Sequence, residues 1–237
     1  MAPSVVDEMQ ADPIGITVTA EVRWFFHGPC PAGVERWFGA GRTLETETRE
    51  DRYVVLPGVM SVGIKLRGHA SKDGPRLEVK ACHGRATPIR PAAGVAGLAA
   101  AWSKWALVLD RRDAITSGLE APIPVLTTHK RRSLRRLTLR DAGIAEVAAD
   151  ASIDIGCDVE LSELTVAEHE GQRWWSLAFE AFGSKPDAWN MLHAAVPHFF
   201  EAHSVPSTGT GEAFDERSSD AYPAWLESVG TPPRSRS

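Results

Sequence analysis

Residues 62 to 81, VGIKLRGHASKDGPRLEVKA, carry the pattern on which the chain is organised. Val62, Ile64 and Leu66 fall on one face and Lys65 and Arg67 on the other; Leu77 and Val79 then oppose Arg76, Glu78 and Lys80. A period of two in each run predicts two strands joined by a polar Gly-Pro turn. The same period runs from Gly15 to Phe26, where Ile16, Val18, Ala20, Val22 and Trp24 oppose Thr17, Thr19, Glu21, Arg23 and Phe25. An acid and a base thus stand two residues apart on one strand face.

Pro31 opens a short helix with Val34, Trp37 and Phe38 at helical spacing, closed by Gly39 and Gly41. Thr43 to Arg52 is charged and ambiguous between the two periods, and Tyr53 to Leu56 is a short strand stopped by Pro57 and Gly58. Residues 84 to 100, rich in Gly, Ala and Pro and without periodic signal, read as a connection, after which Trp102 to Leu109 alternates again with Lys104 on one face. In Cys157 to Leu164, Asp158, Glu160 and Ser162 share a face. In Trp174 to Phe182, Ser176 and Glu180 oppose Trp175, Leu177, Phe179 and Ala181, with a Gly171 turn to make a hairpin. Ser184 and Pro186 start a second helix whose stripe of Trp189, Leu192, Ala195 and Val196 ends near Pro197. Residues 1 to 13 read as a flexible polar leader and 203 to 237, dominated by Ser, Pro, Gly and charge, as a mobile tail in which Tyr222 and Trp225 dock locally.

Composition narrows the classes. The 237 residues are 43% hydrophobic and 24% charged, which fits a water-soluble globular chain. No window reaches the run of about 18 apolar residues that a spanning helix needs, and the N-terminus has no signal-peptide pattern, so the expected location is cytoplasmic, without a membrane partner. Cys30, Cys82 and Cys157 are odd in number and far apart, and read as reduced. A net charge of -5 offers nucleic acid no general attraction. Lys130, Arg131, Arg132, Arg135, Arg136 and Arg140 do put six cations within eleven residues, but Ser133, Leu134 and Leu137 lie between them instead of base-stacking aromatics. Nucleic acid is therefore not the expected partner, and Arg135, Arg136 and Arg140 read as a solvated face.

At least six alternating segments have one apolar face and one face that includes charge. An open sheet could leave those charges in water, with Lys65 or Arg67 pairing Glu78 across the hairpin for about 0.2 to 1 kcal/mol each. A closed antiparallel barrel with helices packed outside, an α+β fold, would turn them all into one lumen. Mixed charges in a cavity are costly unless paired or ligated. A divalent cation with a polyphosphate would satisfy both signs at once.

The order Glu21-Val-Arg23, Lys65-Leu-Arg67, Glu78-Val-Lys80, Lys130-Arg-Arg132 and the late acids Glu160 and Glu180 resembles the CYTH superfamily, the triphosphate tunnel metalloenzymes, over roughly residues 14 to 202. The resemblance implies an antiparallel tunnel of about eight strands, closed or nearly so, that binds a triphosphate or other phosphorylated, anionic small molecule. It assigns phosphate contacts to Arg23, Lys65, Arg67, Lys80, Lys130 and Arg132; Arg49 and Lys104 join them on periodicity. It further implies catalytic roles for Glu21, Glu78 and Glu180, and Mg or Mn held by Glu21, Glu160 and Glu180. Segments such as REDRYVVLPG, GIKLRGHA and WWSLAFEAFG are similar to a divergent branch rather than to its thiamine-triphosphatase, tripolyphosphatase or class IV adenylyl cyclase groups.

One departure bears on function. Where the family signature E-x-E-x-K begins, this chain has Thr19-Ala-Glu21-Val-Arg23. Arg for Lys keeps the charge, whereas a hydroxyl is a poor, neutral ligand for Mg. Two functions follow: a metal-dependent phosphohydrolase, supported by the retained acids, or a non-hydrolytic tunnel that binds an anion or serves other chemistry, supported by the lost one.

Overall fold

The computed structural model describes residues 16–40, 44–67, 75–109, 124–201, 205–209 and 211–230. The leader, the turn over 68 to 74 and residues 231 to 237 lie outside the described residues. Ten strands form one antiparallel sheet: β1 (Ile16–His27), β2 (Thr46–Val54), β3 (Val62–Arg67), β4 (Arg76–Cys82), β5 (Thr87–Ala92), β6 (Val95–Val108), β7 (Val125–Arg140), β8 (Gly143–Val147), β9 (Gly156–Val166) and β10 (Arg173–Gly183). Eight of them close on themselves in the order β1-β10-β9-β7-β2-β3-β4-β6, because β1 pairs with both β10 and β6. The other two extend the wall. β5 takes the edge of β6 beyond the end of β4, and β8 takes the edge of β7 beyond the end of β2. Closure leaves every barrel strand with two neighbours and two unlike faces.

The outer apolar face lies under two helices, α1 (Ala32–Gly39) and α2 (Lys185–Glu201). Ala20, Val22 and Trp24 of β1, Val159 and Leu161 of β9, and Trp175, Leu177, Phe179 and Ala181 of β10 form one core with Val34 and Phe38 of α1 and Met191, Leu192, Ala195 and Val196 of α2. α2 does not stop at Pro197 as its sequence implies but runs through it. A proline inside a helix costs about 3 kcal/mol. Here Phe199 and Phe200 follow it into the core against Trp24, Trp37 and Phe179. Burying two such rings is worth about 1.5 to 3 kcal/mol each, enough to offset the break.

Residues 84 to 100, without periodic signal, become β5 and the first half of β6. Ala99, Ala100 and Ala101 are all buried, so small residues face both sides and the contrast that marks a strand is lost. Gly97 is required there: a Cβ would lie 2.7 Å from the Trp24 ring and 2.8 Å from Val22.

Residues 211–230 of the segment expected to be a mobile tail are instead built into the barrel. Where β6 diverges from β1 beyond Val22, Phe25 donates its amide to the Ser218 carbonyl at 2.8 Å and the Asp220 amide donates to the Arg23 carbonyl at 3.1 Å. α3 (Tyr222–Gly230) then enters one end of the bore, where Trp225, Leu226 and Val229 pack on the inward-facing Phe25, Tyr53, Val55, Leu126, Leu164 and Val166. Five apolar residues, Phe214, Tyr222, Trp225, Leu226 and Val229, are enough to anchor a segment whose composition is otherwise that of a tail. No helix among the described residues is long and apolar enough to cross a membrane.

Candidate functional site

The remaining part of the bore is a cavity of about 490 Å³. All twelve charged residues singled out in the sequence line it: Glu21, Arg23, Arg49, Lys65, Arg67, Glu78, Lys80, Lys104, Lys130, Arg132, Glu160 and Glu180. They come from β1, β2, β3, β4, β6, β7, β9 and β10, so each barrel strand contributes at least one. Strand parity does this: once the outer face is buried under helices, alternate residues have only the bore to face.

The charges form three groups. Glu160 accepts from Arg23 at 2.9 Å, Lys130 at 2.7 Å and Arg132 at 3.2 Å. Burial opposes its charge, but Lys130, Arg23 and Arg49 together outweigh that and hold the carboxyl well below its usual range. In the second group Lys65 and Arg67 both meet Glu78 at 3.0 Å, and Asp51 at 3.6 and 3.3 Å respectively. The cross-strand pairs of the open-sheet reading therefore exist, but inside a lumen. Burial, together with Arg67 and Arg49, pulls the Lys65 ammonium down to about 8 in spite of Asp51 and Glu78. The third group is Lys80, which donates to Glu180 at 3.1 Å and to Glu21; Thr19 also donates to Glu21, at 2.6 Å. Burial disfavours the Lys80 charge, yet Glu180 and Glu21 raise its pKa above the usual lysine range.

Asp51 is the residue that sequence reading missed. Its side chain is 0% exposed, and against the opposing effect of burial Lys65, Arg49 and Arg67 bring its pKa to about 2. It escaped notice because β2 carries charge on both faces: Glu50 and Arg52 flank it on the outer parity, Arg49 and Asp51 on the inner. Counting back by twos from Tyr53 is the signal that finds it. Arg49 faces Asp51 at 3.5 Å, and its Nε is buried without a hydrogen-bond partner among the described residues. Lys104, opposite Lys80 in the β4–β6 register, has no ion pair among the described residues. Tyr53, Tyr222, Asp158 and Asp220 also line the cavity.

The basic run on β7 is divided by parity. Lys130 and Arg132 enter the lumen, while Arg131 lies outside, donating to Glu163 at 2.7 Å and Glu35 at 2.8 Å. Arg135 and Arg136 are not the solvated face their sequence implies. Arg135 is 7% exposed, donates to both oxygens of Glu146 and to the Phe38 carbonyl, and lies 4.8 Å over the Phe199 ring. Arg136 holds both oxygens of Asp158, at 2.7 and 3.0 Å. Arg140 is exposed. A planar guanidinium on an apolar stem, with several donors, can be buried beside one carboxylate and one carbonyl, which a count of charges does not reveal.

The acids assigned to a divalent cation do not fit one as arranged. Glu160 is engaged by three cations, and Glu21 and Glu180 share the Lys80 ammonium. Among the described residues no three acidic, His or Cys side chains converge on a common point.

No protein-family model and no curated protein matches the chain. Among solved structures, the PH1012 protein from Pyrococcus horikoshii OT3 is similar at 14% identity and a TM-score of 0.42, over 76% of this chain and 90% of that one. The S. pombe Pct1 RNA triphosphatase, solved in complex with the Spt5 CTD, is similar at 11% identity and a TM-score of 0.33, over 80% of this chain and 85% of that one. Both likenesses are too distant to carry a residue's role across, and the reading of the lumen rests on its own geometry.

Proposed function

We propose that the lumen binds a small molecule carrying a polyphosphate, in a divergent relative of the triphosphate tunnel proteins. The observation that carries this reading is the convergence of eight basic side chains on one cavity: Arg23, Arg49, Lys65, Arg67, Lys80, Lys104, Lys130 and Arg132. Six carboxylates line the same cavity and the buried Asp51 pairs with Arg49, Lys65 and Arg67, so the excess is small, and internal pairing preorganises the basic groups. A chain of linked phosphates suits such a wall, since each phosphate meets a separate guanidinium or ammonium through charge-assisted hydrogen bonds.

Hydrolysis of the same ligand is the second reading. It is favoured by cations that would stabilise charge on a leaving diphosphate. Against it, Glu78, Glu160 and Glu180 are all held below the ordinary carboxylate range by neighbouring cations, which makes them weak bases. Tripolyphosphate, ATP and thiamine triphosphate, each tested for thermal stabilisation and for phosphate release, separate the readings. Stabilisation without release supports a binding tunnel, and release lost in Glu180→Gln supports the hydrolase. A melting temperature unmoved by all three ligands at low salt removes both.

A further inference from the structure

The cation position between Glu21 and Glu180 is filled by the protein itself. These two residues are Cα partners on β1 and β10, and both side chains line the cavity. Directly opposed carboxylates about 5 Å apart on one sheet face repel unless a positive charge separates them. Lys80 supplies it, arriving from β4 with its ammonium on one oxygen of each. We infer that Lys80 is the resident cation of this lumen, and that it lets the protein bind tripolyphosphate-class anions without a divalent metal.

This inference rests on the lumen being a polyphosphate site, and two further observations support it. Thr19 stands on the same strand face where the family signature has an acid, and donates to Glu21. The hydroxyl leaves two carboxylates instead of three, a charge that monovalent ammonium groups can balance. Mg takes oxygen ligands at about 2.0 to 2.1 Å in near-octahedral geometry, so it could enter only by displacing Lys80 from both carboxylates. The displaced ammonium would have Lys104 as its register partner on β6, a like charge that already acts on Glu180 and Glu78. Displacement therefore loses two ion pairs. A tethered ammonium also needs no binding from solution.

The test combines calorimetric titration of tripolyphosphate, in excess EDTA and in Mg, with a count of protein-bound Mn by electron paramagnetic resonance in the absence of phosphate. Wild type should bind tripolyphosphate in EDTA and hold no Mn. Lys80→Met should bind Mn between the uncovered carboxylates and lose about tenfold or more in tripolyphosphate affinity in EDTA, the loss of one charge-assisted contact. Mg should restore that affinity. Tripolyphosphate binding by wild type only when Mg is present, or a tight Mn site in wild type, overturns the inference. If wild type binds tripolyphosphate in neither medium, the polyphosphate reading fails on its own account, and the inference falls with it.

Discussion

The two halves of the bore are built by the same strands to opposite ends. On β1, Arg23 lines the charged chamber and Phe25, two residues on, the apolar plug; on β2, Arg49 and Tyr53 line the chamber while Val55, just past the strand, joins the plug; on β7 and β9, Lys130 and Glu160 lie in the chamber and Leu126 and Leu164, on the same strand faces, in the plug. Tyr222 stands at the partition, stacked on Tyr53 at 5.2 Å with Arg23 and Lys130 5.0 and 5.4 Å from its ring. The apolar half completes itself, because α3 fills it. The charged half holds its cations other than Lys104 in ion pairs and leaves a cavity between them, so the fold is stabilised at one end and a ligand is accommodated at the other.

That division can be broken at either end. The largest effect is expected from Glu160→Ala, which leaves Arg23, Lys130 and Arg132 without their shared carboxylate. Breaking a buried pair of this kind costs about 3 to 5 kcal/mol, to be read from urea unfolding. Leu226→Ala, in the plug, should cost somewhat less, about 3 kcal/mol, by opening a cavity at a residue that is 2% exposed. Tripolyphosphate affinity should survive Leu226→Ala, provided it is measured below the melting temperature; a loss of binding would mean that the two halves are not independent.

A third effect is specific to acid. The Asp51 carboxyl falls from an ordinary 3.8 to about 2, and Glu78 and Glu160 are lowered as well. Their contribution is fully present above the unfolded values, near pH 4, and is lost as pH falls toward 2, because there the unfolded chain binds more protons than the native one. For Asp51 alone this amounts to about 2 to 3 kcal/mol. Asp51→Asn should flatten the acid limb of a stability profile, and an unchanged limb would remove Asp51 from the account. The smallest effect concerns the ligand. Lys65, with its pKa near 8, loses its charge as pH rises past that value. Tripolyphosphate affinity should therefore decline by up to about tenfold per unit above pH 8, and Lys65→Arg should extend the plateau.

The fold and the chamber were legible where one face of a strand is apolar and the other charged, as on β1, β3, β4 and β10. β2 was opaque because both its faces are charged, which hid Asp51. The first half of β6 was opaque because Ala and Gly lie on both of its faces, as close packing against Trp24 requires. Arg135 and Arg136 were misread because burial of an arginine depends on partners distant in sequence, Glu146 and Asp158 among them. α3 was hidden in a polar context, and no local period shows that a barrel end is open to receive it.

The most direct measurement is a crystal structure grown with tripolyphosphate. The account predicts phosphate density inside the barrel, within hydrogen-bond distance of Arg49, Lys65, Lys104 and Arg132, with α3 in place. Density confined to the outer surface, at Arg131 or Arg140 with the lumen unchanged, would contradict it.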